Sequence, residues 1–207
     1  MNKQLITKIK SFYSADDPSH DWLHILRVSS TCKKLAGLLN ANWRLLEPAA
    51  FLHDVINVPK DSKDRSKASL LAANKAKQIL VPFDYTDVEI EKISTIILEH
   101  SFSANIKATS IESEILQDAD KLDSMGAIGV MRWATVGTKM HSSYYHQEDP
   151  WAKDRELNDK EFSLDHFETK LLKLYDRLNT DPGKSVGKIR LDFYKSFLFQ
   201  LKAEIGH

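Results

Sequence analysis

The sequence predicts an all-α protein: one helical domain over residues 1–207, interrupted late by a long irregular loop. Three observations lead there. Only seven glycines and six prolines punctuate the chain, few for the tight turns of a sheet protein. Between them, apolar residues recur at intervals of three and four, the period of a helix buried along one stripe. Acidic and hydroxyl residues stand just ahead of those runs, where helices take their caps.

The first predicted helix carries Ile25, Val28, Cys32, Leu35 and Leu39 on one stripe, and "DDPSHDW" ahead of it supplies acidic caps and a proline. A second helix is expected over residues 45–53. The segment "SKASLLAANKAKQIL" is alanine-rich and made of good helix formers. Residues 86–99 open on a threonine cap and carry Val88, Ile93, Ile96 and Ile97; helices over 111–122 and 126–136 follow. From about residue 140 to 162 the chain is polar and aromatic without a period, a loop long enough to suggest function or mobility. Two helices close the chain over about 163–204. One starts at Ser163 with Phe167, Leu171, Leu174 and Leu178 on a face, and the last starts near Thr180.

Bulk composition excludes several functions. Lys+Arg and Asp+Glu both number 29, so no net charge draws the chain to nucleic acid or to an anionic membrane. A single cysteine, Cys32, excludes an internal disulfide and a cysteine-based zinc site, and fits a reducing compartment. The opening "MNKQLITKIKSFY" lacks the apolar run and small-residue cleavage site of a signal peptide, and no stretch nears the ~18 apolar residues of a membrane span. A cytoplasmic protein is expected.

The informative residues are polar ones on apolar faces. His24 lies four before Val28, on the core stripe, and His53 follows Leu46, Ala49 and Ala50 at offsets of seven, four and three. Asp120 lies four after Leu116 and one after Ala119. A buried carboxylate left unpaired costs several kcal/mol, so such groups are paired or bind a metal. Singly, each position has an ordinary explanation: a lone core histidine is usually just hydrogen-bonded, and Asp118, Asp120 and Asp123 make an acceptable solvated face.

Together they form the order H…HD…D, as "H24-I-L-R-V", "L-H53-D54-V" and "D118-A-D120-K-L-D123". This pattern resembles the HD-domain phosphohydrolase superfamily, and "HDWLHILRV", "LEHSFS", "ILQDADKLDSMGAIGVMR" and "DHFETKLLKL" look like its YedJ/YpgQ branch. The resemblance runs from about Asp17 to Glu204. It implies a helical fold in which His24, His53, Asp54 and Asp120 hold one divalent metal ion. Asp118 competes with Asp120, but two positions along a helix differ by about 200°, and Leu116, Ala119 and Asp123 share the side of Asp120. His20 and Asp21 lie one turn before His24, near the metal or the substrate, although His20 also suits a surface position at a helix start. His100 resembles the family's pocket histidine.

Two imidazoles and two carboxylates suit Mn²⁺ first, then Fe²⁺, Co²⁺, Ni²⁺ or Mg²⁺, and lack the thiolates of a closed zinc site. Asp54, Asp123 and His100 all qualify as the proton acceptor for an attacking water. Lys63, Arg65 or Lys67, which follow the His-Asp helix, could reach a phosphate, though a solvated loop of mixed charge accounts for any one of them slightly better. The implied activity is cleavage of a (deoxy)nucleoside triphosphate to monophosphate and pyrophosphate. A 5′-nucleotidase-type phosphomonoesterase is the runner-up, and a non-catalytic metal-bound nucleotide-binding module the third reading. The expected partner is a small phosphorylated molecule, with no nucleic acid and no membrane; a homodimer is compatible. Tyr144, Tyr145, His146 and Trp151 either cover the site and stack on a base, or pack on the loop's own body.

Overall fold

The computed structural model describes residues 1–13, 21–56, 58, 67–101 and 106–206. The protein is all-α: among the described residues there is no strand, only one isolated bridge between Ser143 and Phe162. Its contacts gather into two compact units, Met1–Asp120 and Lys121–His207.

The first unit contains α1 (Lys3–Lys10), α2 (Trp22–Leu39), α3 (Trp43–Leu52), α4 (Ala68–Leu80), α5 (Asp87–Glu99) and most of α6 (Ile111–Asp123). Local chemistry sets the ends. The Asp21 side chain caps α2, Asn42 caps α3, and Thr86 with Glu89 forms a capping box on α5. Asn40 ends α2 in the left-handed region at φ 52°, which asparagine tolerates better than most residues. α3 packs on α2 and α5, and α4 packs on α5. Ala72, Ala73 and Ala76 form the middle of the buried face of α4, between Ser69 and the larger Ile79 and Leu80. Ile25, Val28, Leu46, Leu52, Ile93, Ile97 and Leu116 are fully buried; each contributes about 1.5–3 kcal/mol relative to exposure. α1 has no counterpart in the sequence reading: only Leu5 and Ile9 anchor this short, polar helix.

The second unit contains α7 (Gly126–Lys139), α8 (Asp165–Thr169) and α9 (Asp181–Ile205). Phe167 is buried at its centre, with Trp133, Tyr194 and Phe197 rings at 5.3, 5.1 and 5.8 Å. The Tyr194 hydroxyl donates to the Ser124 carbonyl and passes so close to α7 that a Cβ at Gly129 would lie 2.0 Å from it. Only glycine fits there.

The helix expected from Ser163 is broken. α8 covers five residues, Lys170 leaves the helical region at φ −140°, and two 3₁₀ turns follow, Leu171–Lys173 and Tyr175–Arg177. Leu171, Leu174 and Leu178 are buried all the same, because a 3₁₀ turn also aligns residues three apart. The preceding loop is irregular but tied down. Arg155 grips Asp165 through both guanidinium nitrogens, at 2.6 and 2.8 Å, and lies over the Phe162 ring. Tyr144 packs on Trp133, His146 on Phe162, and Lys202 covers Trp151. For these side chains the structure shows packing within their own unit.

Candidate metal centre

Helix ends build the site. His24 is the third residue of α2, and its amide donates to the Asp21 carboxylate at 2.9 Å. His53 is the C-cap of α3, with Asp54 directly after it; His100 is the C-cap of α5; Asp120 sits in the last turn of α6. Helix C-termini leave carbonyls without intrahelical partners. His53 and His100 both exploit this. The His53 Nδ1–H donates to the Ala50 carbonyl at 2.9 Å, and the His100 Nδ1–H donates to the Ile97 carbonyl at 2.6 Å. Each ring therefore spends its Nδ1 proton on its own helix and turns Nε2 inward, as ligating histidines do.

The inward atoms converge. His24 Nε2 lies 3.3 Å from His53 Nε2, 3.6 Å from Asp120 Oδ1 and 3.7 Å from Asp54 Oδ2. His53 Nε2 is 3.7 Å from Asp54 Oδ2 and 4.0 Å from Asp120 Oδ1. Donors bound at ~2.1 Å around one divalent ion sit roughly 3–4 Å apart, so His24, His53 and Asp120 are spaced to share such an ion, with Asp54 within reach of both histidines. The donor chemistry fits too: two neutral nitrogens and two carboxylates balance a double positive charge. Asp54 also turns its other oxygen, Oδ1, to His100 Nε2 at 3.6 Å. Two overlapping donor sets result, His24–His53–Asp120 and His53–Asp54–His100.

Electrostatics agree with this arrangement. Complete burial holds His53 down at about 4, so at neutral pH its Nε2 lone pair is available. Burial also works against a charged His100, but the facing Asp54 carboxylate outweighs it and raises its pKa above the ordinary value. For Asp120, burial pushes upward while His53 and His24 pull harder downward, leaving it below the ordinary carboxylate value. Burial, then the charges of Asp120 and Asp118, push the Cys32 thiol far above its usual range, so it is an inert core group.

The other sequence-derived candidates fall as follows. Asp118 is fully buried and belongs to neither donor set. Asp123, in the second unit, is 4% exposed and ion-pairs with Arg132 at 2.5 Å. Asp21 is a helix cap, and Lys67 is exposed at the start of α4. His20, Lys63 and Arg65 lie outside the described residues. Sequence reasoning passed over Tyr13, whose hydroxyl donates to the Phe51 carbonyl at 2.8 Å, two residues before His53. No periodicity or motif marks it.

Fold and site together define an all-α protein with a His/Asp cluster able to hold a divalent cation. Residues 22–125, half of the chain, match the HD domain family, and the chain belongs to that family. An uncharacterized protein of Bacillus subtilis (strain 168), YpgQ, is 29% identical over 208 residues, spanning 98% of this chain and 93% of its own. The crystal structure of B. subtilis YpgQ in complex with ADP superposes with a TM-score of 0.76 at 28% identity, covering 98% of this chain and 96% of that one. An HD-superfamily hydrolase from Bacillus thuringiensis gives 0.74 at 30% identity, covering 98% and 95%. Among the described residues no helix is long and apolar enough to cross a membrane.

Proposed function

We propose that this protein is a metal-dependent nucleotide pyrophosphohydrolase, cleaving a (deoxy)nucleoside triphosphate to its monophosphate and pyrophosphate. One observation carries the reading: the His24 Nε2 atom lies within 4 Å of His53 Nε2, Asp54 Oδ2 and Asp120 Oδ1. Relatedness to an HD-superfamily hydrolase supports hydrolysis, and the ADP complex of YpgQ supports a nucleotide ligand.

His24, His53, Asp54 and Asp120 would hold the cation, with Mn²⁺ first and Mg²⁺, Co²⁺, Ni²⁺ or Fe²⁺ as alternatives. When bound, a divalent ion supplies Lewis-acid polarisation of a phosphoryl oxygen and acidifies water. Asp54 and His100 handle the proton. The Asp54 Oδ1–His100 Nε2 pair gives the proton of an attacking water a place to go, and the Ile97 carbonyl keeps the His100 ring aimed. Asp21 fixes the first turn of α2 and so the approach of His24, and His20 one residue earlier is proposed to contact substrate. Lys63, Arg65 and Lys67 are proposed to meet the phosphates. Asp123 has a smaller claim on catalysis, because Arg132 already engages it.

Phosphorus-31 NMR of the products from a panel of nucleotides with each metal tests the proposal. Pyrophosphate together with a nucleoside monophosphate is the expected result. Orthophosphate alone assigns a phosphomonoesterase, and nucleotide binding without any product assigns a binding module.

A further inference from the structure

We propose that Tyr13 is a positioning residue for the His53–Asp54 pair, acting through the backbone at the end of α3. The inference rests on the reading of these two residues as metal ligands. α3 stops at Leu52, and Val55, whose amide would close the α-helical bond to Phe51, bonds the Leu52 carbonyl at 3.2 Å. The Phe51 carbonyl is served from elsewhere in the chain: the Tyr13 hydroxyl, 38 residues away, donates to it at 2.8 Å. That bond anchors the turn carrying the ligand pair, from the residue two before His53.

The ring that carries this oxygen is itself held. Trp22 lies between Tyr13 and Phe51, with ring centres 5.9 and 5.5 Å away. Trp22 opens α2 two residues before His24, and Phe51 precedes His53 by the same interval. This aromatic stack therefore ties together the segment bearing His24 and the segment bearing His53 and Asp54. The His24 and His53 Nε2 atoms lie 3.3 Å apart, and functional constellations tolerate displacements of only about 0.5 Å.

A merely structural tyrosine makes a different forecast. Losing one such hydroxyl costs about 0.5–1.5 kcal/mol of stability and nothing specific to the ligands. A positioning role is read in metal affinity, since groups that orient ligands typically change it by about 10–100-fold. The test compares the full-length wild-type protein with Tyr13→Phe and Asp54→Asn, all stripped by chelator, using Mn²⁺ titration calorimetry and melting of the metal-free forms. We expect Tyr13→Phe to bind Mn²⁺ about 10–100-fold more weakly, while its metal-free melting temperature falls by only a few degrees. Wild-type Mn²⁺ affinity in Tyr13→Phe, with Asp54→Asn defective, overturns the role of Tyr13 alone. Wild-type affinity in Asp54→Asn overturns the ligand reading beneath it. Should Tyr13→Phe fail to fold, Trp22→Leu decides, since Trp22 holds the Tyr13 ring: weakened Mn²⁺ binding supports the positioning role, and wild-type affinity refutes it.

Discussion

Replacing Asp54 by asparagine separates the two things a buried cluster can do, support folding or hold a cation. The substitution keeps shape and removes one negative charge. Asp54 is the most connected group in the site: its Oδ2 faces His24 and His53 at 3.7 Å each, and its Oδ1 faces His100 at 3.6 Å. Leaving a charge in such a cluster without its counter-charge costs about 3–5 kcal/mol, and in the loaded site the cation is the charge so left. Asp54 is 22% exposed, so the lower end applies, about 3 kcal/mol, or slightly over a hundredfold in Kd. At a cation concentration 1,000 times the wild-type Kd, binding adds about 4.1 kcal/mol to folding stability, and a hundredfold weaker site keeps only about 1.4. For a chain of 207 residues, that difference lowers the melting temperature in the presence of metal by roughly 5–11 °C. Without metal the variant should melt close to wild type, because the Asp54 charge opposes ionisation of Asp120 and its loss relieves that repulsion. Calorimetric melting with and without Mn²⁺, alongside assays of product, reads both effects. An Asp54→Asn protein that keeps its metal-induced stabilisation, or its turnover, refutes the ligand assignment.

Three further outcomes are expected. His24→Ala should lose the cation after dialysis, whereas His20→Ala should retain it and lose turnover; elemental analysis of the two proteins checks this, and equal metal loss reverses the roles of the histidines. Burial holds His53 at about 4 while an unfolded histidine titrates near 6.5, so its contribution to the metal-free protein is complete above pH 6.5 and lost as pH falls toward 4. His100, raised by Asp54, runs the other way, its contribution being lost as pH rises through its folded value. Denaturant unfolding at pH 7.5 and 5 should therefore fall less between those pH values in His53→Gln than in wild type. Gly129→Ala should cost about 1–3 kcal/mol, because the new Cβ meets the Tyr194 hydroxyl at 2.0 Å and the Ser124 carbonyl at 2.6 Å. Combining it with Tyr194→Phe should recover part of that loss in a double-mutant cycle, since the first clash is removed and the second stays.

The site was more legible than the helix ends that hold it. His24 and His53 were visible because each interrupts an apolar stripe, and both prove to be fully buried. Helical rotation separated Asp120 from Asp118, and the structure turns the Asp120 carboxylate toward His24 while burying Asp118 elsewhere. Side-chain periodicity was blind to backbone detail. Phe167, Leu171, Leu174 and Leu178 share a buried face whether the chain is one α-helix or a short helix followed by 3₁₀ turns, so the break at Lys170 left no mark in the pattern. Tyr13 was illegible for a different reason. It acts on a backbone carbonyl, which every residue possesses, so no spacing of side chains announces its partner.

That contrast bears on how the centre is built. Four inward donors, two of them anionic, are unfavourable to fold around on their own account, since each gives up hydration. The chain does not hold them by packing alone, for Asp54 and Asp120 remain 22% and 27% exposed. It holds them through backbone groups at helix ends: the Ala50 carbonyl for His53, the Ile97 carbonyl for His100, the His24 amide for Asp21, and the Phe51 carbonyl for Tyr13. The Ile97 carbonyl also accepts the His100 amide at 3.3 Å; the other three are groups that helix ends leave over, so orienting the ligands and completing the helices largely coincide. Substitutions that disturb these four bonds should therefore weaken cation binding out of proportion to their effect on folding, whereas equally destabilising changes in the buried face of α4 should leave it untouched.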